Sequence, residues 1–329
     1  MRAAAEASPA LKILNLNYTS VTPSSLAPLI SACPDLEVLK LAGIQNWASF
    51  TDATTSNFYT GLPEGFQLPA LRTLKLRQTS LSDAALNPIL KMCPALQRLD
   101  LSFTLFRHPP QLLADARIPA LQKLSLTSTG VPTADLVEIV RLLPGLRTLA
   151  IGALGVNQGS RKSIGYSSAM TMTDDALRSL TGVLETFQHM ENINLVGNTK
   201  LGLSSRVDGA LSEFITKVGR RCKKLNLAGI HSLHSSDLIG LVPTEANGVS
   251  PLETLMLNNT GIDDEAGLYL ATCSSLQTLA VAGTKLTSEG IFPIIDACEK
   301  LENLDLTSCR GVRVVDRRRF FEVWEEART

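Results

Sequence analysis

Few residues of this chain have the types and spacing that chemistry needs. The four histidines are His108, His189, His231 and His234. His231 and His234 form a His-x-x-His pair in "HSLH", but no acidic or cysteine ligand stands at a matching distance, as a closed metal site requires. No phosphate-cradling "GxxxxGK" and no nucleophile-elbow "GxSxG" occurs. Serine, aspartate and histidine do not recur in an order that argues for a triad. The six cysteines, Cys33, Cys93, Cys222, Cys273, Cys298 and Cys309, fall among apolar helix and strand positions, where burial suppresses thiolate formation. The chain is therefore expected to be non-catalytic, with no metal and no cofactor. What remains is recognition chemistry: Lys40, Lys75, Arg77, Arg98 and Lys123, one acid at Asp100, the aromatics Tyr18, Trp47, Tyr59 and Phe103, and four arginines within Arg313–Arg319. Whether these act together depends on what positions them.

The positioning element is a repeat. Leu-x-x-Leu-x-Leu recurs as "LKILNL" at Leu11, "LEVLKL" at Leu36, "LRTLKL" at Leu71, "LQRLDL" at Leu96, "LQKLSL" at Leu121 and "LRTLAI" at Leu146. It continues as "MENINL" at Met190, "CKKLNL" at Cys222, "LETLML" at Leu252, "LQTLAV" at Leu276 and "LENLDL" at Leu301. Successive starts lie 25, 35, 25, 25, 25, 44, 32, 30, 24 and 25 residues apart, a base period inside the leucine-rich-repeat range. The Leu-x-Leu alternation is a half-buried strand. A turn follows, then an amphipathic helix. In "TSLSDAALNPILKMCPA" Ser82 or Asp83 can N-cap it, Ala85, Leu86, Ile89, Leu90 and Cys93 form its apolar face, and Pro94 ends it. "TADLVEIVRLLPG" and "TSEGIFPIIDACEK" repeat the scheme. Thr19, Thr79, Thr104, Thr129, Asn198, Thr260, Thr284 and Cys309 stand three residues after the last strand leucine, placed to satisfy turn backbone groups. One repeat cannot bury its strand and helix faces alone, but stacked repeats can. The expected fold is an α/β leucine-rich-repeat solenoid, a right-handed horseshoe of about eleven repeats, with parallel strands on the concave face and helices on the convex face.

Cys33, Cys93, Cys273 and Cys298 hold the first position of Cys-x-x-Leu-x-x-Leu-x-Leu-x-x-Cys, and Cys309 holds the last. The chain thereby resembles the cysteine-containing, ribonuclease-inhibitor-like leucine-rich repeats of F-box substrate receptors of ubiquitin ligases and their F-box-free relatives. That resemblance implies a recognition module that binds other proteins. No F-box helix set occurs in the sequence.

The expected organisation is one solenoid over residues 1–329. "SPAL" at Ser8 aligns with "CPAL" at Cys93, so residues 1–10 read as the remnant of a repeat helix whose front lies upstream. Residues 313–329 read as a capping helix, N-capped by Asp316, with Phe320, Val323 and Trp324 on its inner face and Arg317, Arg318, Glu325 and Glu326 in water. A contact surface on its arginines stays open as the alternative. Two inserts leave the same edge: an aromatic-rich segment, 43–69, with Trp47, Phe50, Phe58, Tyr59 and Phe66, and a Gly/Ser-rich one, 152–173.

Residues alternating with the strand leucines face the concave side. There Lys40, Lys75, Arg77, Arg98 and Lys123 form a basic stripe with Asp100, with Tyr18 and Phe103 at its edge, while later repeats read as neutral. Strands about 4.8 Å apart crowd these cations, a cost that an anionic partner relieves. Lys40, Lys75, Arg77, Arg98, Asp100, Phe103, Lys123, Trp47 and Tyr59 are the expected partner-binding residues, and the expected partner is a protein with an acidic surface. With 31 Lys+Arg against 31 Asp+Glu, no global field draws in nucleic acid or an anionic membrane. No apolar run of about 20 residues is present, and "MRAAAEASPALK" lacks a signal-peptide core. Sparse cysteine points to a cytoplasmic or nuclear protein. Two other functions stay open: a GTPase-activating regulator of the leucine-rich-repeat type, disfavoured by the short period, and a repair-linked nucleic-acid contact, disfavoured by the zero net charge.

Overall fold

A computed structural model describes residues 10–44, 61–79, 81–108, 121–153, 172–204 and 209–318. The chain divides into two compact units, Met1–Met170 and Thr171–Thr329.

Among the described residues, the first unit holds six strands of three residues: β1 (Ile13–Asn15), β2 (Val38–Lys40), β3 (Thr73–Lys75), β4 (Arg98–Asp100), β5 (Lys123–Ser125) and β6 (Thr148–Ala150). They pair in sequence order, all parallel and without a register shift, so that Leu14, Leu39, Leu74, Leu99, Leu124 and Leu149 line up. Leu39 through Leu149 in that row are at most 3% exposed. Burying a leucine in this way stabilises by about 1.5–3 kcal/mol, which is why the Leu-x-Leu column repeats. Opposite the strands run α1 (Pro23–Ser31), α2 (Asp83–Lys91) and α3 (Thr133–Arg141). The expected apolar face of α2, Ala85, Leu86, Ile89, Leu90 and Cys93, is buried. Ser82 occupies the N-cap position but makes no side-chain cap bond. The neighbouring Asp83 reaches across to the next repeat, where its carboxylate accepts the amides of Arg107 at 2.8 Å and His108 at 3.2 Å.

The second unit holds β7 (Asn192–Asn194), β8 (Lys224–Asn226), β9 (Thr254–Met256), β10 (Thr278–Ala280) and β11 (Asn303–Asp305), again parallel and in register. Its helices are α4 (Asp174–Leu184), α5 (Ala210–Lys217), α6 (Glu265–Leu270) and α7 (Ser288–Ala297). Between β8 and β9 the expected helix is a 3-10 segment, Ser235–Leu241. There Gly240 lies against the Thr216 backbone, and Pro243 lies just past the segment's end.

The threonine column works as the spacing predicts. Thr79, Thr104, Thr129, Thr260 and Thr284 each donate a hydroxyl to the carbonyl three residues back, at 2.6–2.9 Å. Asn198 and Cys309 serve similar carbonyls through Nδ2 and Sγ.

Four sequence expectations meet the structure at their edges. The described ends of the two inserts already belong to the repeats: Leu68 is 2% exposed and its amide donates to the Met92 carbonyl, and Thr173 N-caps α4. At the C-terminal segment residues 314–318 are helical, so Asp316 lies inside the helix and not at its N-cap. Its carboxylate accepts the Ser288 hydroxyl at 2.6 Å. Arg317, expected in water, instead donates from Nη2 to the Cys309 carbonyl at 2.7 Å. Phe320, Val323, Trp324 and the glutamates beyond them lie outside the described residues, as do residues 1–9.

Candidate functional site

The in-register ladder fixes which side chains become neighbours. On the strand face of the first unit, one row reads Val38, Thr73, Arg98, Lys123, Thr148 and the next Lys40, Lys75, Asp100, Ser125, Ala150. Lys40 therefore stands beside Lys75, and Arg98 beside Lys123, each pair one strand spacing, about 4.8 Å, apart at the backbone. Among the described residues none of these four cations makes an ion pair; the surface pairs present are Lys12–Glu37, Arg178–Asp175, Lys217–Glu185, Lys217–Glu213 and Lys223–Glu191. Asp100 is the acid nearest Lys75 in the ladder, but its carboxylate accepts the Ser102 amide at 3.1 Å. Asn15, Asn194, Asn226 and Asp305 close the same turn in other repeats. Asp100 is thus a turn residue of the repeat, which weakens it as a counter-charge to the lysines.

Arg77 leaves the strand one row further on and lies over the Phe103 ring, 4.9 Å from its centroid. A guanidinium over an aromatic face is attracted by the ring quadrupole. The contact places the stripe's Arg77 and Phe103 together as one feature. Trp47 and Tyr59 lie outside the described residues.

Sequence reading missed the turn column two residues after the last strand leucine. In it Tyr18, Gln78, Phe103, Ser128, Asn259 and Ser308 have φ of 55–60°, and Gly43, Gly197, Gly229 and Gly283 have φ of 63–77°. The column's amides continue the ladder to the next repeat: Tyr18 donates to Ala42, Gly43 to Arg77, Gln78 to Ser102 and Phe103 to Thr127, all at 2.8–3.0 Å. This forces the left-handed conformation whatever the side chain. The recurring glycines were the available signal. Because Gly43 has no Cβ, the Tyr18 ring can lie over it, and the Tyr18 hydroxyl donates to Gln78 Oε1 at 3.1 Å.

The second unit's strand face carries Asn192, Asn194, Asn226, Thr254 and Thr278, together with Lys224 and Asp305, two charges that the neutral reading of the later repeats omits. Nearby arginines are engaged: Arg220, 5% exposed, donates to the carbonyls of Asn247 and Gly248, and Arg221 to those of Glu185 and Phe187.

Two of the histidines and the cysteines are engaged or enclosed within the repeats. His231 Nδ1 lies 2.9 Å from the Asn259 carbonyl, and the His234 amide donates to Asp237. All six cysteines are free and buried. Burial pushes the Cys93, Cys222 and Cys273 thiols up to about 12 and Cys298 to about 11. Among the described residues no group of three or more His, Cys, Asp or Glu could hold a metal ion, and no helix is long and apolar enough to cross a membrane.

Residues 46–109, which include Lys75, Arg77, Arg98, Asp100 and Phe103, match a family model described as "FBD-associated F-box protein At5g56370, LRR repeats". Over 70 residues the chain is 36% identical to "Putative F-box/LRR-repeat protein 23" of Arabidopsis thaliana, covering 21% of this chain and 16% of that protein. Over 93 residues it is 33% identical to "Putative F-box/LRR-repeat protein 22" of the same plant, covering 28% of each. The match therefore spans less than a third of either relative. Among solved structures, an internalin of Listeria monocytogenes aligns over 93% of this chain and 89% of its own, at 17% identity and a TM-score of 0.43.

Proposed function

We propose that this chain, a leucine-rich-repeat protein, is a non-catalytic protein-interaction scaffold, and that it serves as the partner-recognition part of a regulatory assembly of the ubiquitin-ligase type. The binding surface in this reading is the strand face of the first unit, with Lys40, Lys75, Arg77, Arg98, Phe103 and Lys123 as contact residues and Trp47 and Tyr59 of the aromatic insert beside them. Asp100 keeps a supporting place by shaping the turn between Lys75 and Arg77's neighbours. The observation that carries the reading is the crowding of cations without counter-ions. Two like-charged pairs stand on adjacent strands, and no acid among the described residues pairs with them. Stacked repeats offer extended surfaces of this kind for macromolecular partners. Likeness to the repeats of two plant F-box/LRR-repeat proteins supports the ligase assignment, and the free, buried thiols accord with action in the cytoplasm or nucleus.

The test is a pull-down with wild type and the Lys75→Glu/Arg98→Glu double variant, read by quantitative mass spectrometry. The reading expects a partner set that includes ubiquitin-ligase subunits or their substrates, and recovery at least about tenfold lower for the variant, on the scale of losing two close charge pairs. Equal recovery by both proteins contradicts the strand-face assignment. A charge-sensitive partner set without ligase components contradicts the ligase assignment and leaves the interaction surface standing.

A further inference from the structure

The left-handed turn column is filled differently in the two units. In the second unit it holds Gly197, Gly229, Asn259, Gly283 and Ser308, small residues or the asparagine that tolerates this conformation. In the first unit it holds Tyr18 at φ 57°, Gln78 at φ 57° and Phe103 at φ 60°, alongside the small residues Gly43 and Ser128. Bulky residues are uncommon there, since their Cβ meets the neighbouring carbonyl, and glycine fills the same position at Gly43 without that clash. Burial in the core does not account for the large side chains. Tyr18 is 68% exposed, Gln78 is exposed, and Phe103 is half-buried with Arg77 over its ring. Strained residues held at a surface mark places where the side chain serves something outside the fold.

These residues are also contiguous. The Tyr18 ring crosses Gly43, its hydroxyl meets Gln78, and the adjacent Arg77 covers Phe103, so one ledge runs along the ends of β1–β4. Beside it stand Lys40 and Lys75 on β2 and β3, and Arg98 and Lys123 on β4 and β5. From β2 to β5 is three strand spacings, about 14 Å, which about four residues of extended chain cover.

We propose that Tyr18, Gln78, Arg77 and Phe103 form a recognition ledge for an extended acidic polypeptide segment, whose carboxylates pair with Lys40, Lys75, Arg98 and Lys123 and whose apolar side chains lie on the two rings. This deepens the strand-face reading above and rests on it. A polypeptide fits better than a nucleic acid, because the cations stop at β5: β6 presents Thr148 and Ala150 on the same face. Tyrosine, arginine and aromatic contacts supply a large share of binding energy in protein interfaces.

The test uses fluorescence polarisation with a labelled peptide alternating glutamate and leucine, its lysine-for-glutamate counterpart, and a single-stranded oligonucleotide of equal charge. The proteins are the full chain and its Tyr18→Gly and Phe103→Gly variants, each also melted thermally. The ledge requires the acidic peptide to bind at least about tenfold more tightly than the other two probes, and each glycine variant to weaken it about fivefold or more. It also requires that both variants remain folded at the assay temperature, as expected where glycine is native to this turn. Absence of saturable binding of the acidic peptide up to about 1 mM overturns the proposal. So does an oligonucleotide that binds as tightly, which makes the surface a nucleic-acid site. If the glycine variants bind like wild type while Lys75→Glu/Arg98→Glu still loses its partners, the ledge fails and the strand-face reading stands.

Discussion

Asp174 shows how single side chains join one repeat to the next. It opens α4 and is 6% exposed, yet its carboxylate accepts the Gly202 amide at 2.7 Å, the Ser204 amide at 2.8 Å and the Ser204 hydroxyl. Burial pushes its pKa up, but the Ser204 hydroxyl and the two amides outweigh burial and hold the carboxyl below its ordinary value of 3.8. A lowered folded-state pKa means stability that is present above the unfolded value and lost as pH falls through the folded one. Asp174→Asn is expected to reduce stability by about 1–3 kcal/mol at pH 7, because an asparagine has one accepting oxygen and leaves either the Gly202 or the Ser204 amide without its acceptor. Its thermal stability is also expected to change less than that of wild type as the pH is lowered below about 4. Thermal melts at pH 7 and between pH 4 and 2 check both. Parallel pH curves for the two proteins contradict this role. Asp83 and Asp264 make comparable links, to Arg107 and His108 and to Thr287 and Gly290. Sequence reading offers Asp83 only as an alternative to Ser82 for the helix cap, since the 25-residue reach of its carboxylate is visible only once the repeats are stacked.

At the scale of elements, the strands and helices were largely legible. Leu-x-Leu recurs with little variation, and the apolar face of α2 follows from its own spacing. What escaped were elements set by contact between repeats. The 3-10 segment Ser235–Leu241 depends on Gly240 meeting the Thr216 backbone. Likewise α6 and α7 approach so closely that a Cβ at Gly267 would run into the Gly290 carbonyl. Gly267→Ala is therefore expected to destabilise by about 1–3 kcal/mol, as overpacking does. Gly182, exposed near the end of α4 with open space around it, is its opposite. Gly182→Ala is expected to stabilise by up to about 1 kcal/mol through helix propensity. Chemical denaturation of the two variants measures both signs; a neutral or stabilising Gly267→Ala contradicts the close approach of α6 and α7.

At the scale of the molecule, two units built on one repeat present different strand faces. The first carries paired cations and an aromatic ledge, the second chiefly asparagine and threonine with Lys224 and Asp305. The cations were legible because strand residues alternate, so Lys75 and Arg98 follow from the leucines beside them. The ledge was only half legible. Tyr18 and Phe103 could be placed at the stripe's edge, but their left-handed turns, the Tyr18–Gln78 bond and the Arg77–Phe103 stacking appear only once the repeats are stacked. A photo-crosslinking residue at position 75 on the strand face, compared with one at the exposed position 138 on α3, tests the central claim most directly. The account predicts that partner polypeptides crosslink at position 75, that raising salt from about 0.05 to 0.5 M suppresses those crosslinks by screening, and that position 138 yields few. Crosslinks concentrated at position 138, with position 75 silent, would contradict it.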